Sequence, residues 1–228
     1  MDNHQTVIVR KPWGYEYLAY KNDTVALWVL HIAHGERTSM HCHPTKTTGL
    51  VVLGGEAEIN FIADNRRLTA PAKQMIRRGL FHQTHAVSEQ GVVMFEFETP
   101  IDKDDLVRLQ DNYGRENSGY EDIQHELPKT EDCVWIDDTK FNQYFIGSST
   151  VTVMPVVNLS DLDELQDDDI IAFIRGGLIK VINRREHLVT MPGDVGHAKV
   201  VKHVAKQMDA FAENSAIMVI QKQYFNQC

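Results

Sequence analysis

Eight short runs of β-branched and aromatic residues, separated by Gly, Asn, Asp and Pro clusters, predict an all-β chain of antiparallel sandwiches or barrels. Helical periodicity is scarce, and four features recur in the same order in the two halves. The runs cover residues 24–32, 49–53, 57–62, 92–98, 149–157, 170–174, 178–182 and 216–221. Two helical pieces are expected. One spans 102–110, and the other follows Ser160, where Ser160 and Asp163 resemble a capping box.

The recurrence begins at a glycine pair. Gly54-Gly55 is followed by Asn65-Arg66-Arg67-Leu68, Pro71 and His82; Gly176-Gly177 is followed by Asn183-Arg184-Arg185, Leu188, Pro192 and His203. Proline to histidine is eleven residues in both halves, as duplication would leave it. The expected division is a first barrel over 1–118, a connecting segment over 119–145 and a second barrel over 146–228. The break falls in the polar stretch 117–130. No Gly-rich loop runs into a helix, so the glycine pairs read as turns, not phosphate cradles.

At 228 residues the chain can bury one large or two ordinary cores. Its net charge of −9 argues against nucleic-acid or membrane-surface partners, which are themselves polyanionic. Cys42, Cys133 and Cys228 are odd in number and scattered, so they read as reduced thiols. The first residues, Met1 to Gln5, lack the pattern of a signal peptide, and no apolar run approaches membrane-spanning length. Cytoplasm is the expected compartment.

His41-Cys42-His43, with His82 thirty-nine residues on, carries most of the chemical information. On an extended strand, side chains at i and i+2 share a face. A third imidazole from a later strand would complete a ligand set for one divalent transition metal, Zn, Mn, Fe or Ni, with coordination positions left open. Each ring would donate its other N–H to an oxygen, for which Thr45, Thr47, Thr48 and Gln83 are candidates. The second half has no His-x-His upstream of Gly176 and is expected to lack the metal, serving as scaffold or dimer surface.

Gly35, His41, His43 and Gly54 or Gly55, with Gly79 and His82, give the first half a resemblance to the cupin superfamily of double-stranded β-helix, or jelly-roll, barrels. Within it, Lys11-Pro12-Trp13-Gly14-Tyr15-Glu16, Lys103 to Arg108 and Asp111 to Arg115 resemble motifs of the cupin-type mannose-6-phosphate isomerases. The resemblance spans roughly 10–116. It implies tandem cupin barrels (a bicupin), the second degenerate, with His41, His43 and His82 as metal ligands. It departs from the pattern where the motif glutamate, usually a ligand, falls on Thr47 or Thr48. Cupins commonly pair, so a homodimer is expected.

The remaining candidates complete an active site. Glu96 and Glu98 alternate with Phe95 and Phe97, and Glu96, if it faces a cavity, is the preferred general base, its pKa raised by desolvation. His85 is a candidate fourth ligand, proton shuttle or surface residue. Arg77, Arg78 and Lys46 are candidates for an anionic group on the substrate, whereas Arg66-Arg67 belong to a hairpin. Trp13, Trp28 and Trp135 read as core or interface residues. These features fit an isomerase or epimerase of a sugar phosphate or nucleotide sugar, the metal stabilising an enediolate. The alternatives are a three-histidine non-haem iron dioxygenase and a non-catalytic sugar-binding bicupin.

Overall fold

The computed structural model describes residues 7–102, 104–110 and 127–223. The predicted break at 117–126, the motif at 111–115, Met1 to Gln5 and Cys228 lie outside them. The chain divides into two compact units, Met1–Ile136 and Asp137–Cys228. Both are built of antiparallel strands.

In the first unit the strands are β1 (Ile8–Lys11), β2 (Gly14–Lys21), β3 (Ala26–Ile32), β4 (Met40–Cys42), β5 (Thr47–Gly54) and β6 (Glu56–Phe61). They continue as β7 (Asn65–Thr69), β8 (Ala72–Ile76), β9 (His82–Ala86), β10 (Val92–Thr99) and β11 (Val107–Gln110). One sheet has the order β1-β2-β3-β10-β5-β8 and the other β11-β4-β9-β6-β7. Within these, the fours β3-β10-β5-β8 and β4-β9-β6-β7 are the two interleaved sheets of a jelly roll. The chain crosses from one sheet to the other at each step from β3 to β6, which makes it a double-stranded β-helix.

Side-chain alternation decides what faces the interior. Trp28, Leu30 and Ile32 of β3, Leu50 and Val52 of β5, Val92 and Met94 of β10 and Ile59 of β6 form one buried cluster. The opposite face of the first sheet is buried as well: Leu27, Val29, Val51, Phe95 and Phe97 are all at 0% exposure. This explains why these strands read as continuous apolar runs. It also places Glu96 and Glu98, in phase with Met94, on the barrel's inner face.

In the second unit the strands are β12 (Asn142–Ile146), β13 (Ser149–Pro155), β14 (Ile170–Arg175), β15 (Leu178–Ile182), β16 (Arg185–Leu188), β17 (Val195–His197), β18 (Ala210–Phe211) and β19 (Ala216–Lys222). One sheet runs β12-β13-β19-β14-β17 and the other β16-β15-β18. The order β13-β19-β14-β17 repeats β3-β10-β5-β8, and β18-β15-β16 repeats β9-β6-β7. Among the described residues, nothing corresponds to β4; between β13 and β14 stands a short 3-10 turn, Leu159–Leu162.

Several expectations are corrected. The described residues of 102–110 form no helix, and 107–110 pair with β4 as β11. The capping box after β13 is made by Asn158 and Asp161, two residues earlier than predicted, and caps only the 3-10 turn. A helix that periodicity did not reveal, α1 (Ala198–Ala205), follows β17 and buries Ala198, Val201 and Ala205. His203, eleven residues after Pro192, lies on this helix and not on a strand equivalent to β9, so its spacing coincides with that of His82 while its setting does not.

Ile59 is fully buried whereas Ile62, just beyond β6, is 69% exposed. Ile59→Ala should lower the unfolding free energy of the first unit by about 2–5 kcal/mol. Ile62→Ala should change it by no more than about 0.5 kcal/mol. Urea denaturation followed by tryptophan fluorescence would measure both.

Candidate metal centre

His41 sits on β4 directly opposite His82 of β9, as Cα partners. Cys42 points the other way and is buried, and His43 returns to the face of His41. The ring centroids of His41 lie 5.0 Å from His43 and 4.5 Å from His82, with His43 and His82 at 5.6 Å. One ligand nitrogen from each ring falls within 4.8 Å of the other two.

Each ring is oriented by a backbone carbonyl. The Nδ1–H of His41 donates to Ser39 (2.8 Å), that of His43 to Asp105 (2.6 Å) and that of His82 to Leu80 (3.0 Å). A carbonyl can only accept, so Nδ1 carries the proton and each Nε2 keeps its lone pair. Backbone carbonyls thus take the part expected of Thr45, Thr47, Thr48 or Gln83. Burial lowers all three pKa values: that of His82 falls to about 4, and that of His41, further opposed by His82 and His43, lies well below the usual imidazole value.

The Nε2 of His43 is buried and has no hydrogen-bond partner. A buried acceptor left unpaired is costly, and three neutral imidazoles with converging lone pairs are what a divalent transition metal takes up. The residues present therefore fit a metal.

A cavity of about 280 Å³ opens on His41 and His43 and is lined also by Lys11, Trp13, Glu16, Trp28, Lys46, Glu96, Glu98 and Arg108. Glu96 and Glu98 form a group with His43 whose ligand atoms all lie within 4.8 Å of one another. Burial pushes Glu96 up to about 8, reinforced by the neighbouring carboxylates of Glu98 and Glu16. Glu98 is ion-paired to Lys46 at 2.8 Å and receives the Trp28 indole N–H at 3.2 Å. At the first strands Lys11 pairs with Glu16 at 2.8 Å.

The structure brings His41, His43, His82, Lys46 and Glu96 together. It does not bring the other candidates to the cavity. His85 is three residues from His82, an odd offset, so it faces outward beside Glu58 and Arg37. Arg77 and Arg78 are exposed on the turn after β8, which is closed by the Leu80 N–H on the Arg77 carbonyl. Gly79, at φ +69°, lets that turn place its N–H on the His43 carbonyl at 2.8 Å. Arg67 of the expected hairpin pairs with Glu56. Trp13 and Trp28, expected only as packing residues, also wall the cavity.

Arg108 was missed as a site residue. It is the Cα partner of His41 across β11 and β4. Lys11, Glu16 and Glu98 were likewise not singled out for the site. Their signal is legible only through strand parity: Glu98 shares a face with Glu96, and Arg108 pairs with the first histidine.

No protein-family model matches the chain, and no curated protein does. Among solved structures, a Klebsiella pneumoniae protein with a double-stranded β-helix domain is similar at 16% identity, covering 42% of this chain and 84% of its own, with a TM-score of 0.39. KdgF from Halomonas sp. is similar at 16% identity over 45% of this chain and 94% of its own, TM-score 0.40. The capsular polysaccharide assembling protein CapF from Staphylococcus aureus is similar at 18% identity over 46% of this chain and 34% of its own, TM-score 0.43.

Two measurements check this site. His43→Ala should abolish metal retention after dialysis, read by elemental analysis, whereas His203→Ala, on an exposed position of α1, should leave it intact. The second concerns pH. Between about 4.5 and 8 the folded chain keeps a proton on Glu96 that the unfolded chain releases, so this group costs stability increasingly as pH rises through that window. In metal-free protein, the urea midpoint of Glu96→Gln relative to wild type should therefore climb from pH 5 to pH 8.

Proposed function

We propose that this chain is a metal-dependent isomerase or epimerase of a sugar phosphate or nucleotide sugar, acting in carbohydrate or surface-polysaccharide precursor metabolism. The observation that carries the reading is the convergence of three carbonyl-anchored imidazoles, two of which, His41 and His43, open on a cavity lined by the desolvated carboxyl of Glu96. The motifs at 11–16 and 103–115 support the resemblance to mannose-6-phosphate isomerases. On the same reading the protein is a bicupin whose second barrel has lost the strand that carries the ligands. The repeated strand order supports this. We take it to be a cytoplasmic homodimer, with the free thiols Cys42 and Cys133 supporting a reducing compartment.

A divalent ion held by His41, His43 and His82 would polarise a sugar carbonyl and draw nearby acids toward ionisation. The protein's own groups do the rest. Trp13 and Trp28 supply apolar walls against which a sugar ring can lie. Glu96 is the group that moves the carbon-bound proton: its carboxylate oxygen takes one from the hydroxyl-bearing carbon and the resulting carboxyl returns it to the former carbonyl carbon, while the hydroxyl's proton passes to the former carbonyl oxygen. With its pKa raised toward 8, the residue can hold a proton or release it near neutrality.

An anionic substituent needs a cation that is not already neutralised. Lys11 and Lys46 are bound to Glu16 and Glu98, whereas Arg108 has no carboxylate partner among the described residues. We therefore assign substrate-anion binding to Arg108, in place of Arg77 and Arg78. Its fork-shaped guanidinium suits a phosphate.

One observation favours the second reading, a three-histidine iron dioxygenase. Both carboxylate oxygens of Glu98 are engaged by protein donors, which leaves a ligand set that is neutral. Elemental analysis followed by a screen of sugar phosphates for ketose formation separates the two. Zinc or manganese with turnover supports the isomerase. Iron with substrate-dependent oxygen uptake supports the dioxygenase, and purified protein without metal or turnover sinks both. If the isomerase reading holds, Arg108→Gln should raise KM about tenfold or more, since a charge-assisted hydrogen bond contributes roughly 1.5–3 kcal/mol. Arg77→Gln and Arg78→Gln should leave KM unchanged.

A further inference from the structure

A carboxylate beside three imidazoles is a natural fourth ligand for a divalent metal. Two stand here, Glu96 and Glu98, both within 4.8 Å of a nitrogen of His43. Glu98, 8% exposed, has both oxygens in use: Oε1 accepts from Lys46 Nζ at 2.8 Å, and Oε2 accepts from the Trp28 indole at 3.2 Å. Lys46 is itself 2% exposed, so its ammonium has little water to fall back on.

The position of Lys46 is fixed from the backbone. The N–H groups of Thr45 and Lys46 donate to the Asp105 carboxylate at 2.8–3.0 Å, and the Asp105 carbonyl receives the Nδ1–H of His43. One residue thus aligns a metal ligand and the ammonium that faces Glu98. Across the sheet, Thr48 is the Cα partner of Glu98 and points into the same interior, yet its buried Oγ1 has no hydrogen-bond partner. The carboxylate is turned away from that hydroxyl and toward Lys46 and Trp28. Swinging it to an ion would strip a buried ammonium of its counter-charge, a heavy penalty in a dry interior.

We propose that Lys46, assisted by Trp28, holds Glu98 off the metal, so that this carboxylate leaves its coordination position to ligands from outside. Lys46 is then a positioning residue, and neutralising it recruits Glu98 as a fourth protein ligand. The proposal rests on the reading of His41, His43 and His82 as a metal centre.

Cobalt(II) is the probe, since its visible absorption reports the number and charge of its ligands. Wild type, Lys46→Arg and Glu98→Gln are expected to share one spectrum and to bind cobalt within about threefold of one another. Lys46→Met should shift the visible bands and bind at least tenfold more tightly. In the double variant Lys46→Met/Glu98→Gln both effects should vanish, which a merely structural role for Lys46 would not produce. Should Lys46→Met fail to fold, Lys46→Gln carries the same test. A wild-type spectrum in a folded Lys46→Met or Lys46→Gln protein overturns the proposal. So does a tenfold loss of cobalt affinity in Glu98→Gln, which would make Glu98 a ligand already. If wild type takes up no cobalt at all, the metal-centre reading itself falls and the proposal with it, an outcome distinct from the other two.

Discussion

A polar atom can be taken into a closed barrel only if something inside pairs with it. In the first unit this constraint orders everything near the cavity. Three imidazole N–H groups are matched to carbonyls of Ser39, Asp105 and Leu80. The Asp105 carboxylate is matched to two backbone N–H groups, and Lys46 to Glu98. Once these pairs are made, what is left over among the described residues is small and local: the Nε2 of His43 and the hydroxyl of Thr48. Leftover polarity is expensive in a fold, and here part of it belongs to a group of three histidines that could hold a metal ion.

Much of this was legible in the sequence because period-two alternation is a local property. Val92 to Glu98 reads as a strand without any tertiary knowledge, and His41 and His43 must share a face if the segment is extended. The pairing of His41 with His82 followed from the barrel. What alternation could not supply was sidedness. Both faces of β10 are buried, so Glu96 and Glu98 could be assigned to the interior only once Met94 was seen packed there. Parity also rules out His85, whose odd offset from His82 sends it to the outer face.

The cations show the complementary failure. Arg77 and Arg78 are close to His82 in sequence, but the chain turns between them and β9, and a turn exposes long side chains. Arg108 is distant in sequence and adjacent in space because β11 adds to the edge of β4. Misreading 102–110 as a helix concealed this pairing, since only a strand places residue 108 opposite residue 41. The hydrogen-bond partners of the imidazoles were hidden for a related reason: they are main-chain carbonyls, which every residue has and no side-chain pattern advertises.

The second unit isolates what β4 contributes. It keeps a strand order that matches the first unit's and a buried core around Phe173, Leu178 and Ile217, so the architecture does not need that strand to close on itself. Where β4 would lie, the chain runs through a 3-10 turn at Leu159–Leu162, whose Leu162 packs into the core. In the first unit the corresponding strand has little apolar surface to contribute: His41 and His43 face the cavity and Cys42 alone of its three residues is buried. Residues 40–46 thus bring the histidine pair and the Lys46 ammonium to one place, and their shared Asp105 anchor makes them one unit of structure.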